Sequence, residues 1–362
     1  MKPQGILHVS TATSWRGGEQ QLAYLFRELK TKGIEQTILC PEGSALANHC
    51  RFEKMRFQTY RKRSGLGFLL GQRLGRLANS LDVDLVTAHD SHAHSALINA
   101  ASFFGLKKPS VVHRKVDFPV GGNSLSKRKY RHPAIAHYIC VSEEVRNILS
   151  RVVEMDRMSV VYDGIDLNRF PTRSDFLRTH YSISPEKKLI GNVSALTAQK
   201  DPFTFLKTAA ALKERGFNAH FFLIGEGELK REMMKRAADL GIQEEVTFTG
   251  FLDNIEEVLP SLDLLLFTSV KEGLGTTVLD AFSAGVPVVC TQAGGLNEII
   301  EHGKNAYSAA VRDSDGLAKG VQWMFEEEGR IAEVTSSARS TVQAFSFEEM
   351  ASKTLAVYFG LF

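Results

Sequence analysis

Short apolar segments alternate with helix-length segments along the chain, and this alternation starts again near the middle. Several of the short segments are continuously apolar and β-branched, as are strands of a parallel sheet that is covered on both faces. Strands separated by helices predict βαβ units, and two such series predict two consecutive doubly wound α/β domains. The predicted strands are 5–11, 37–40, 85–89, 110–113, 136–142 and 159–164, then 188–196, 219–225, 245–250, 264–269 and 287–291.

The polar segment 166–187, which contains Pro171 and Pro185, is the predicted joint between the two series. We therefore predict a first domain at 1–170 and a second domain at 171–344. In open α/β sheets, ligands bind beyond the carboxyl ends of the strands. Two such domains in tandem predict a ligand crevice between them, with its motifs directly after strands.

The composition is that of a globular protein of a reducing compartment. None of the apolar runs among the 362 residues approaches the roughly 18–20 residues of a membrane-spanning helix. The first residues, MKPQGILHVS, lead straight into a predicted strand, so we expect no signal peptide. The four cysteines are scattered without a CxxC pair, which favours free thiols. We expect a cytoplasmic protein.

Charge is distributed unevenly along the chain. Residues 1–170 hold 25 Lys and Arg against 15 Asp and Glu, whereas the remaining residues hold 19 against 26. A basic first half indicates either an anionic partner or a solvated basic surface. Within it, the segment 51–76 interleaves basic residues with Phe, Tyr and Leu, which would suit a peripheral contact with an anionic membrane as well as an ordinary surface. No nucleic-acid recognition motif is present, so we expect no nucleic-acid partner.

The segment 272–280, EGLGTTVLD, is the sharpest motif. It follows the predicted strand 264–269, and its two glycines permit a tight loop before a predicted helix from Thr276 to Ala284. A loop and helix start of this kind point backbone N–H groups at one spot, which suits a diphosphate. Carboxylates at Glu272 and Asp280 would repel phosphate and are better placed to accept hydrogen bonds from sugar hydroxyls. The alternative is a solvated glutamate and a helix-facing aspartate.

This motif resembles the signature of retaining glycosyltransferases of family 4, in which two glutamates are separated by seven residues. Further matches in the same order cover nearly the whole chain. They lie at 16–19, 113, 141–143, 162–166, 200, 225–227, 248–250, 294–298 and 345–349. The resemblance implies a GT-B fold, with two facing Rossmann-like domains around an interdomain cleft. It also implies that the C-terminal helix 345–362 packs back on the first domain.

The resemblance also implies roles for individual residues. Glu272 would contact the donor sugar, Asp280 the ribose, and Lys200 the diphosphate, where its charge would stabilise the leaving phosphate. The implied catalytic residues are Glu272, His113 and Lys200. The implied donor-binding residues are Gly17, Gly18, Lys200, Gly250, Phe251, Leu252, Glu272, Gly273, Leu274, Gly275, Thr276, Thr277 and Asp280. Residues His89, Asp90 and Arg114 would lie on the acceptor side. No metal and no cofactor is implied, since the nucleotide diphosphate sugar is a co-substrate.

The sequence departs from the family at three positions. Asp280 stands where the second glutamate is usual, and it is shorter by one methylene. The arginine that often precedes the lysine is missing before Lys200, and Arg114 or Lys271 are candidate replacements. Asp163 replaces an asparagine.

The segment 89–94, HDSHAH, contains residue types that could bind a metal. The alternative is a loop at the end of a strand whose side chains point in different directions, or a loop that faces the acceptor. Family resemblance favours the metal-free alternatives.

We conclude from the sequence that a metal-independent retaining glycosyltransferase is expected, acting on a cell-envelope glycan or glycolipid such as lipopolysaccharide. Two alternatives remain: a sugar-nucleotide epimerase of the same fold, and a non-catalytic module that binds a nucleotide sugar or a membrane. A Rossmann dehydrogenase is disfavoured, because no G-x-G-x-x-G follows the first strand.

Overall fold

The structure is a computed structural model that describes residues 3–62, 67–121, 124–171 and 173–362. Part of the basic segment 51–76 therefore lies outside the described residues. The strands are β1 Gly5–Val9, β2 Glu35–Pro41, β3 Phe57–Tyr60, β4 Leu85–Ala88, β5 Ser110–Arg114, β6 Ile135–Cys140, β7 Met158–Val160, β8 Lys188–Val193, β9 Ala219–Ile224, β10 Val246–Gly250, β11 Leu264–Phe267, β12 Val288–Thr291 and β13 Tyr307–Ala309.

Helices connect most of these strands, as the βαβ pattern predicted. They are α1 Gly17–Thr31, α2 Ala45–Phe52, α3 Gly67–Ser80, α4 Ser91–Phe103, α5 Ser124–Tyr130, α6 Glu143–Ser150, α7 Phe176–His180, α8 Pro202–Glu214, α9 Lys230–Asp239, α10 Ile255–Val258, α11 Thr276–Ala284, α12 Ser314–Glu326, α13 Arg330–Val342 and α14 Phe347–Phe359. Within the described residues, no helix has both the length and the apolar character needed to cross a bilayer.

The chain forms two compact units. The first comprises the residues up to Gly164 together with Phe347–Phe362, and the second comprises Ile165–Ser346. The sequence predicts this division at residue 170 and the start of the final helix at residue 345. Each unit has one fully parallel sheet, so the predicted α/β class with two Rossmann-like domains is confirmed.

The sheet of the first unit has the strand order β3-β2-β1-β4-β5-β6-β7. Its order reverses between β1 and β4, which are hydrogen-bonded neighbours. The carboxyl ends of these two strands therefore mark the switch point where a doubly wound sheet opens a crevice.

The C-terminal helix α14 belongs to the core of the first unit. Its residues Met350, Leu355 and Tyr358 are buried in the cluster that also contains residues of α1. At the start of α14, the ring of Phe347 stacks on Tyr24 of α1 with a centroid distance of 4.9 Å. Burial of these large side chains, worth roughly 1.5–3 kcal/mol each, holds the end of the chain on this unit.

The sheet of the second unit has the order β10-β9-β8-β11-β12-β13, with the reversal between β8 and β11. Its core packs α8, α9, α12 and α13 against the strands. Helix α11 spans Thr276–Ala284, the range predicted from sequence, and ends at Gly285 in the left-handed region with φ 70°. This glycine terminates the helix as helix C-terminal glycines commonly do.

Candidate active site

The loops after β8 and β11 carry two of the predicted site residues. Lys200 lies in the loop that follows β8, and Glu272 lies in the loop that follows β11. Because the strand order reverses between these strands, the two loops flank the crevice of the second sheet. The fold therefore brings together two residues that are 72 positions apart in sequence.

Lys200 and Glu272 form an ion pair. Nζ of Lys200 contacts Oε1 of Glu272, and the hydroxyl of Ser269 donates a hydrogen bond of 2.7 Å to the same oxygen. The side chains are 24% and 8% exposed, so both charges are largely withdrawn from water. The ammonium also lies 5.3 Å from the ring centroid of Phe267, a cation–π contact. The pair offers a cation to an incoming phosphate and an acceptor to ligand hydroxyls.

The backbone that carries Lys200 is tied to the β11 loop. The hydroxyl of Thr268 donates 2.9 Å to the carbonyl of Asp201. Asp201 itself has φ 46°, an uncommon left-handed conformation for a residue with a Cβ. Its carboxylate accepts bonds from the backbone N–H and the hydroxyl of Thr204, at 3.3 and 2.6 Å, and so caps α8. These contacts fix where the lysine side chain starts.

The start of α11 is an anion-binding geometry. Gly275 precedes the helix with φ 95°, and a Cβ added there would lie 2.3 Å from Cδ2 of Leu296. Only glycine fits this position without a shift. The backbone amides of Gly275, Thr276 and Thr277 donate no hydrogen bond to another described residue. They are therefore available to a phosphate, which the positive end of the helix also favours.

Gly294 and Gly295 pack against the backbone of the loop that carries Glu272. The N–H of Gly295 donates 2.9 Å to the carbonyl of Glu272. A Cβ on Gly295 would lie 2.0 Å from the carbonyl oxygen of Gly273, and one on Gly294 would lie 2.5 Å from that of Glu272. The two segments thus pack backbone against backbone. From the sequence, 294–298 is only a family match, although its paired glycines are a signal of close backbone packing.

Asp280 lies in the second turn of α11 and is half-buried. Burial raises the pKa of its carboxyl to about 7; Arg169 opposes this shift, whereas Glu256 and Asp166 add to it. The guanidinium of Arg169 is engaged with Glu256, at 2.7 Å. At neutral pH Asp280 can therefore donate as well as accept a hydrogen bond, and either suits a sugar hydroxyl.

The corner after β10 presents an exposed ring. Gly250 has φ 75°, and its carbonyl accepts a hydrogen bond of 2.9 Å from the N–H of Gly225. The next residue, Phe251, is 71% exposed, and Leu252 is half-buried. This segment was predicted to bind the donor, and it offers an aromatic face for stacking.

The start of α1 holds Gly17 and Gly18. A Cβ on Gly18 would meet nothing within 4 Å, so the backbone there is open to approach. The preceding turn is fixed by Glu19, whose carboxylate accepts from the backbone N–H of Arg16 at 3.2 Å. Burial raises the pKa of this carboxyl, while the backbone hydrogen bonds lower it.

The predicted residues His89 and His113 are inside the first unit. Their rings stack at a centroid distance of 4.4 Å, and Nε2 of His113 lies 2.8 Å from the hydroxyl of Tyr358 on α14. His89 also lies 3.2 Å from Nδ1 of the buried His8. Burial lowers the pKa of His8 to about 4 and holds those of His89 and His113 well below their usual range. Nothing in the sequence signalled that His8 and Tyr358 would be partners of these two histidines.

Asp90 and Arg114, predicted on the acceptor side, are both engaged in the fold. Asp90 accepts four hydrogen bonds, from the N–H and hydroxyl of Thr11 and from the amides that begin α4. It therefore ties the loop after β1 to the loop after β4. Arg114 donates to the hydroxyl of Tyr130 at 2.6 Å and also to the carbonyl of Phe118. Arg114 thus belongs to the hydrogen-bond network of the first unit.

The remaining histidines of segment 89–94 point in different directions. His92 is exposed, whereas His94 is buried against the rings of Tyr130 and Tyr138. Across the part of the chain that the structure describes, no three His, Cys, Asp or Glu side chains are arranged to hold a metal ion.

Comparison with known proteins identifies the family. Residues 15–169 match the model of Glycosyltransferase Family 4, and residues 174–341 match that of Glycosyl transferases group 1. The fold and both halves of the sequence thus define one class, the glycosyltransferases with two Rossmann-like domains. This chain belongs to glycosyltransferase family 4, of the GT-B fold.

Two relatives and one solved structure share between 20% and 28% sequence identity with this chain. N-acetyl-alpha-D-glucosaminyl L-malate synthase of Bacillus anthracis is 28% identical over 60% of this chain and 58% of its own length. The lipopolysaccharide core biosynthesis glycosyltransferase LpsE of Rhizobium meliloti is 22% identical over 84% of both chains. The crystal structure of HepE of Anabaena in complex with UDP and glucose is 20% identical, covers 99% of this chain and 100% of its own, and has a TM-score of 0.86. The chain spans a little over half the length of several curated relatives that it matches.

Proposed function

We propose that this protein transfers a sugar from a nucleotide diphosphate sugar to a hydroxyl of a cell-envelope glycan or glycolipid. The observation that carries the proposal is the Lys200–Glu272 ion pair beside the open amides of α11. One place thereby offers a cation and N–H groups for a diphosphate, and a carboxylate for sugar hydroxyls. Membership of a glycosyltransferase family supports the same activity.

Different residues of the second unit's crevice would bind the diphosphate, the ribose and the base of the nucleotide sugar. The amides of Gly275, Thr276 and Thr277 would bind the diphosphate, and Asp280 would bind the ribose. Phe251 would stack on the base. The HepE structure that resembles this chain holds UDP and glucose, which favours a nucleotide of this kind.

Retention at the anomeric carbon would follow from attack on the face that the phosphate leaves. In this proposal the acceptor oxygen bonds to the anomeric carbon as the carbon–oxygen bond to the phosphate breaks. The acceptor proton passes to the departing phosphate oxygen, so no protein base is required. Lys200 would stabilise the charge that accumulates on that phosphate, and Glu272 would position the sugar. The protein then acts through preorganised charge and orientation.

We also propose that no metal ion is needed. In this proposal the positive end of α11 and Lys200 would face the diphosphate, and their charges would take the place of a divalent cation. We expect activity to persist in excess EDTA.

We propose that the protein is cytoplasmic and acts at the inner face of a membrane, where it would meet a glycolipid acceptor. The relative LpsE, which is named for lipopolysaccharide core biosynthesis, supports an acceptor of this kind. We propose peripheral contact through α3 and the end of α4. Phe68, Leu69 and Phe103 are each more than half exposed, and the rings of Phe68 and Phe103 lie 5.6 Å apart. No acidic residue occurs between Glu53 and Asp82, whereas Arg73 and Arg76 are exposed on α3. Exposed aromatics beside cations suit an anionic bilayer.

The test of membrane contact is co-sedimentation with vesicles of phosphatidylglycerol and phosphatidylcholine. The double variant F68S/F103S should remain in the supernatant, whereas Phe359→Ser, an exposed aromatic on α14, should sediment like wild type. Equal sedimentation of all three proteins would remove this part of the proposal.

The test of activity is to incubate the protein with individual nucleotide sugars, with and without a lipid-extract acceptor, and to analyse both products. The proposal predicts nucleoside diphosphate release and a glycosylated acceptor, both lost in Glu272→Gln. A changed sugar nucleotide without any acceptor would instead identify an epimerase.

A further inference from the structure

Tyr130 of the first unit is surrounded by nitrogen groups from three other residues. Arg114, at the end of β5, donates to its hydroxyl at 2.6 Å, and the guanidinium carbon lies 5.3 Å from its ring centroid. Nζ of Lys129 lies 5.8 Å from the same centroid. The ring of His94, from the first turn of α4, meets the ring of Tyr130 edge-on at 5.0 Å. We name Arg114, Lys129, His94 and Tyr130 the Tyr130 cluster.

Carboxylates do not balance the charge of the Tyr130 cluster. Neither Arg114 nor Lys129 forms an ion pair with another described residue. Between Asp90 and Glu143 the sequence contains eight lysines and arginines and a single acid, Asp117. The carboxylate of Asp90, the nearest acid on α4, is already committed to four hydrogen bonds. Lysines and arginines therefore outnumber carboxylates around the cluster, which carries a net positive charge.

Two nitrogens of the Tyr130 cluster are buried without a partner. Nε of Arg114 and Nε2 of His94 find none in the described residues, although the two residues are only 5% and 1% exposed. A buried donor such as Nε of Arg114 costs about 1–3 kcal/mol when it is left unsatisfied, and a bound water or anion would satisfy it. Both nitrogens belong to the same cluster, which indicates a single binding place.

Lys129 connects the cluster to the surface. It is half-buried, and its ammonium donates to the carbonyl of Ser91 at 2.7 Å and to the hydroxyl of Ser91 at 3.2 Å. Burial lowers the pKa of Lys129 to about 8; Arg114 lowers it further, while Asp90 opposes the shift. A bound anion would relieve this cost, because it would restore a charged partner to the ammonium.

We infer that the Tyr130 cluster binds a phosphate ester, with Lys129 and the Ser91 hydroxyl at its mouth and Arg114 behind them. This inference rests on the proposed function, in which the ester is part of the acceptor. A tetrahedral dianion accepts several donors at once, and the cluster supplies ammonium, guanidinium and hydroxyl donors within one place. Residues of the donor site in the second unit take no part in it.

The surroundings of the cluster indicate that the ester has an apolar portion. Phe118, whose carbonyl binds Arg114, is 48% exposed, and Leu125, one helical turn before Lys129, is 75% exposed. Val116, two residues after Arg114, is 45% exposed. These apolar side chains beside a phosphate-binding cluster fit a lipid-borne phosphate as well as a soluble one, so the test separates the two sources.

The test is a phosphorus NMR titration of methyl phosphate with the 362-residue chain. Lys129→Gln and Arg114→Gln should each raise the Kd at least tenfold, whereas Lys127→Gln, an exposed lysine on the same helix, should change it less than about twofold. Titration is repeated with the protein saturated by whichever nucleoside diphosphate binds it, and the Kd should not change. Equal Kd values in Lys129→Gln and wild type, or equal losses in all three variants, would overturn the inference.

Two further measurements separate a lipid-borne ester from a soluble one and test whether the variants are folded. Dihexanoyl phosphatidic acid, used below its micelle concentration, should bind at least tenfold more tightly than methyl phosphate if the source is a lipid, and equally if it is soluble. The nucleotide-dependent rise in melting temperature reports whether Arg114→Gln is folded, and Arg114→Lys gives a milder variant. If wild type binds methyl phosphate but no nucleotide, the proposed function fails while this site stands.

Discussion

The sheets of the two units have the same kind of strand order, but different residues lie at the point where that order reverses. In the second unit, glycine backbones pack directly on one another, as where Gly295 meets Gly273, and leave amides and the Lys200–Glu272 pair facing the crevice. In the first unit, side chains close the corresponding place, with Asp90 tying two loops together and His89 stacked on His113. Topology thus sets where a ligand can bind, whereas the local residues decide which ligand it is.

The largest effect should come from breaking the ion pair. We expect Glu272→Gln and Lys200→Gln each to lower kcat by about a hundred- to a thousandfold, because each removes a charge aligned with the reacting phosphate or sugar. The matched change in the first unit, Asn99→Ala on α4, should leave kcat within about twofold. Steady-state kinetics with the identified donor check this prediction.

Variants of the Lys200–Glu272 pair should also show that stability and activity depend on it in different ways. Each single variant should be destabilised, since it leaves the partner charge poorly compensated in a largely buried place. The double variant K200Q/E272Q should regain melting temperature without regaining activity. If the double variant is as unstable as the singles, the pair is not the contact that we describe.

The next effect should come from adding one methyl group to the glycine packing. We expect Gly295→Ala to push the 272–275 loop and to lower activity about a hundredfold, as a displacement of about 1 Å can do. Overpacking of this kind costs about 1–3 kcal/mol in stability. Gly360→Ala near the C-terminus, where a Cβ would be 3.5 Å from its nearest neighbour, is the control and should behave like wild type. Normal activity of Gly295→Ala would contradict the backbone packing.

We expect the two units to unfold at different pH values during acidification. His8, His89 and His113 are held neutral in the folded first unit, with pKa values below those of the unfolded chain. The unfolded state therefore binds more protons, and stability falls as the pH drops from about 6.5 towards 4. Trp15 lies in the first unit and Trp323 in the second, so the variants W323F and W15F report on each unit by fluorescence. The first unit should unfold at the higher pH during acidification; simultaneous unfolding would contradict this difference.

The smallest effect should come from Asp280, which acts in the opposite pH direction. Its folded pKa is raised to about 7, so the unfolded carboxyl ionises first and stability is lost as the pH rises from about 4 to 7. We expect Asp280→Asn to raise the melting temperature by a few degrees at pH 8 and not at pH 4. Differential scanning calorimetry at both pH values provides the measurement, and an equal shift at both would argue against the raised pKa.

Much of the second unit could be predicted from its sequence. Helix α11 was predicted with its observed bounds, because Gly275 and Gly285 mark both of its ends in the local sequence. Strand β3 was missed, since Phe57–Tyr60 is a four-residue edge strand with polar residues and only one fully buried side chain. Strand β13 was also missed, because it is an edge strand of only three residues.

The partners of the first unit's histidines could not be predicted, because they depend on packing between residues far apart in sequence. His113 and Tyr358 are 245 positions apart, and only the docking of α14 brings them together. Ser269, which holds Glu272, was missed because a serine three residues before a glutamate carries no distinctive pattern. Local backbone rules predicted the glycine loop before α11, whereas tertiary packing decided the side-chain networks.

We propose that the second unit binds the donor diphosphate through Lys200 and the start of α11, without a metal. The most direct measurement is calorimetric titration of wild type and Lys200→Gln with UDP, GDP, ADP and CMP in excess EDTA. We predict that one nucleotide binds wild type in EDTA and that Lys200→Gln weakens its affinity at least tenfold, about 1.4 kcal/mol. Binding that disappears in EDTA, or that is equally tight in Lys200→Gln, would contradict the claim.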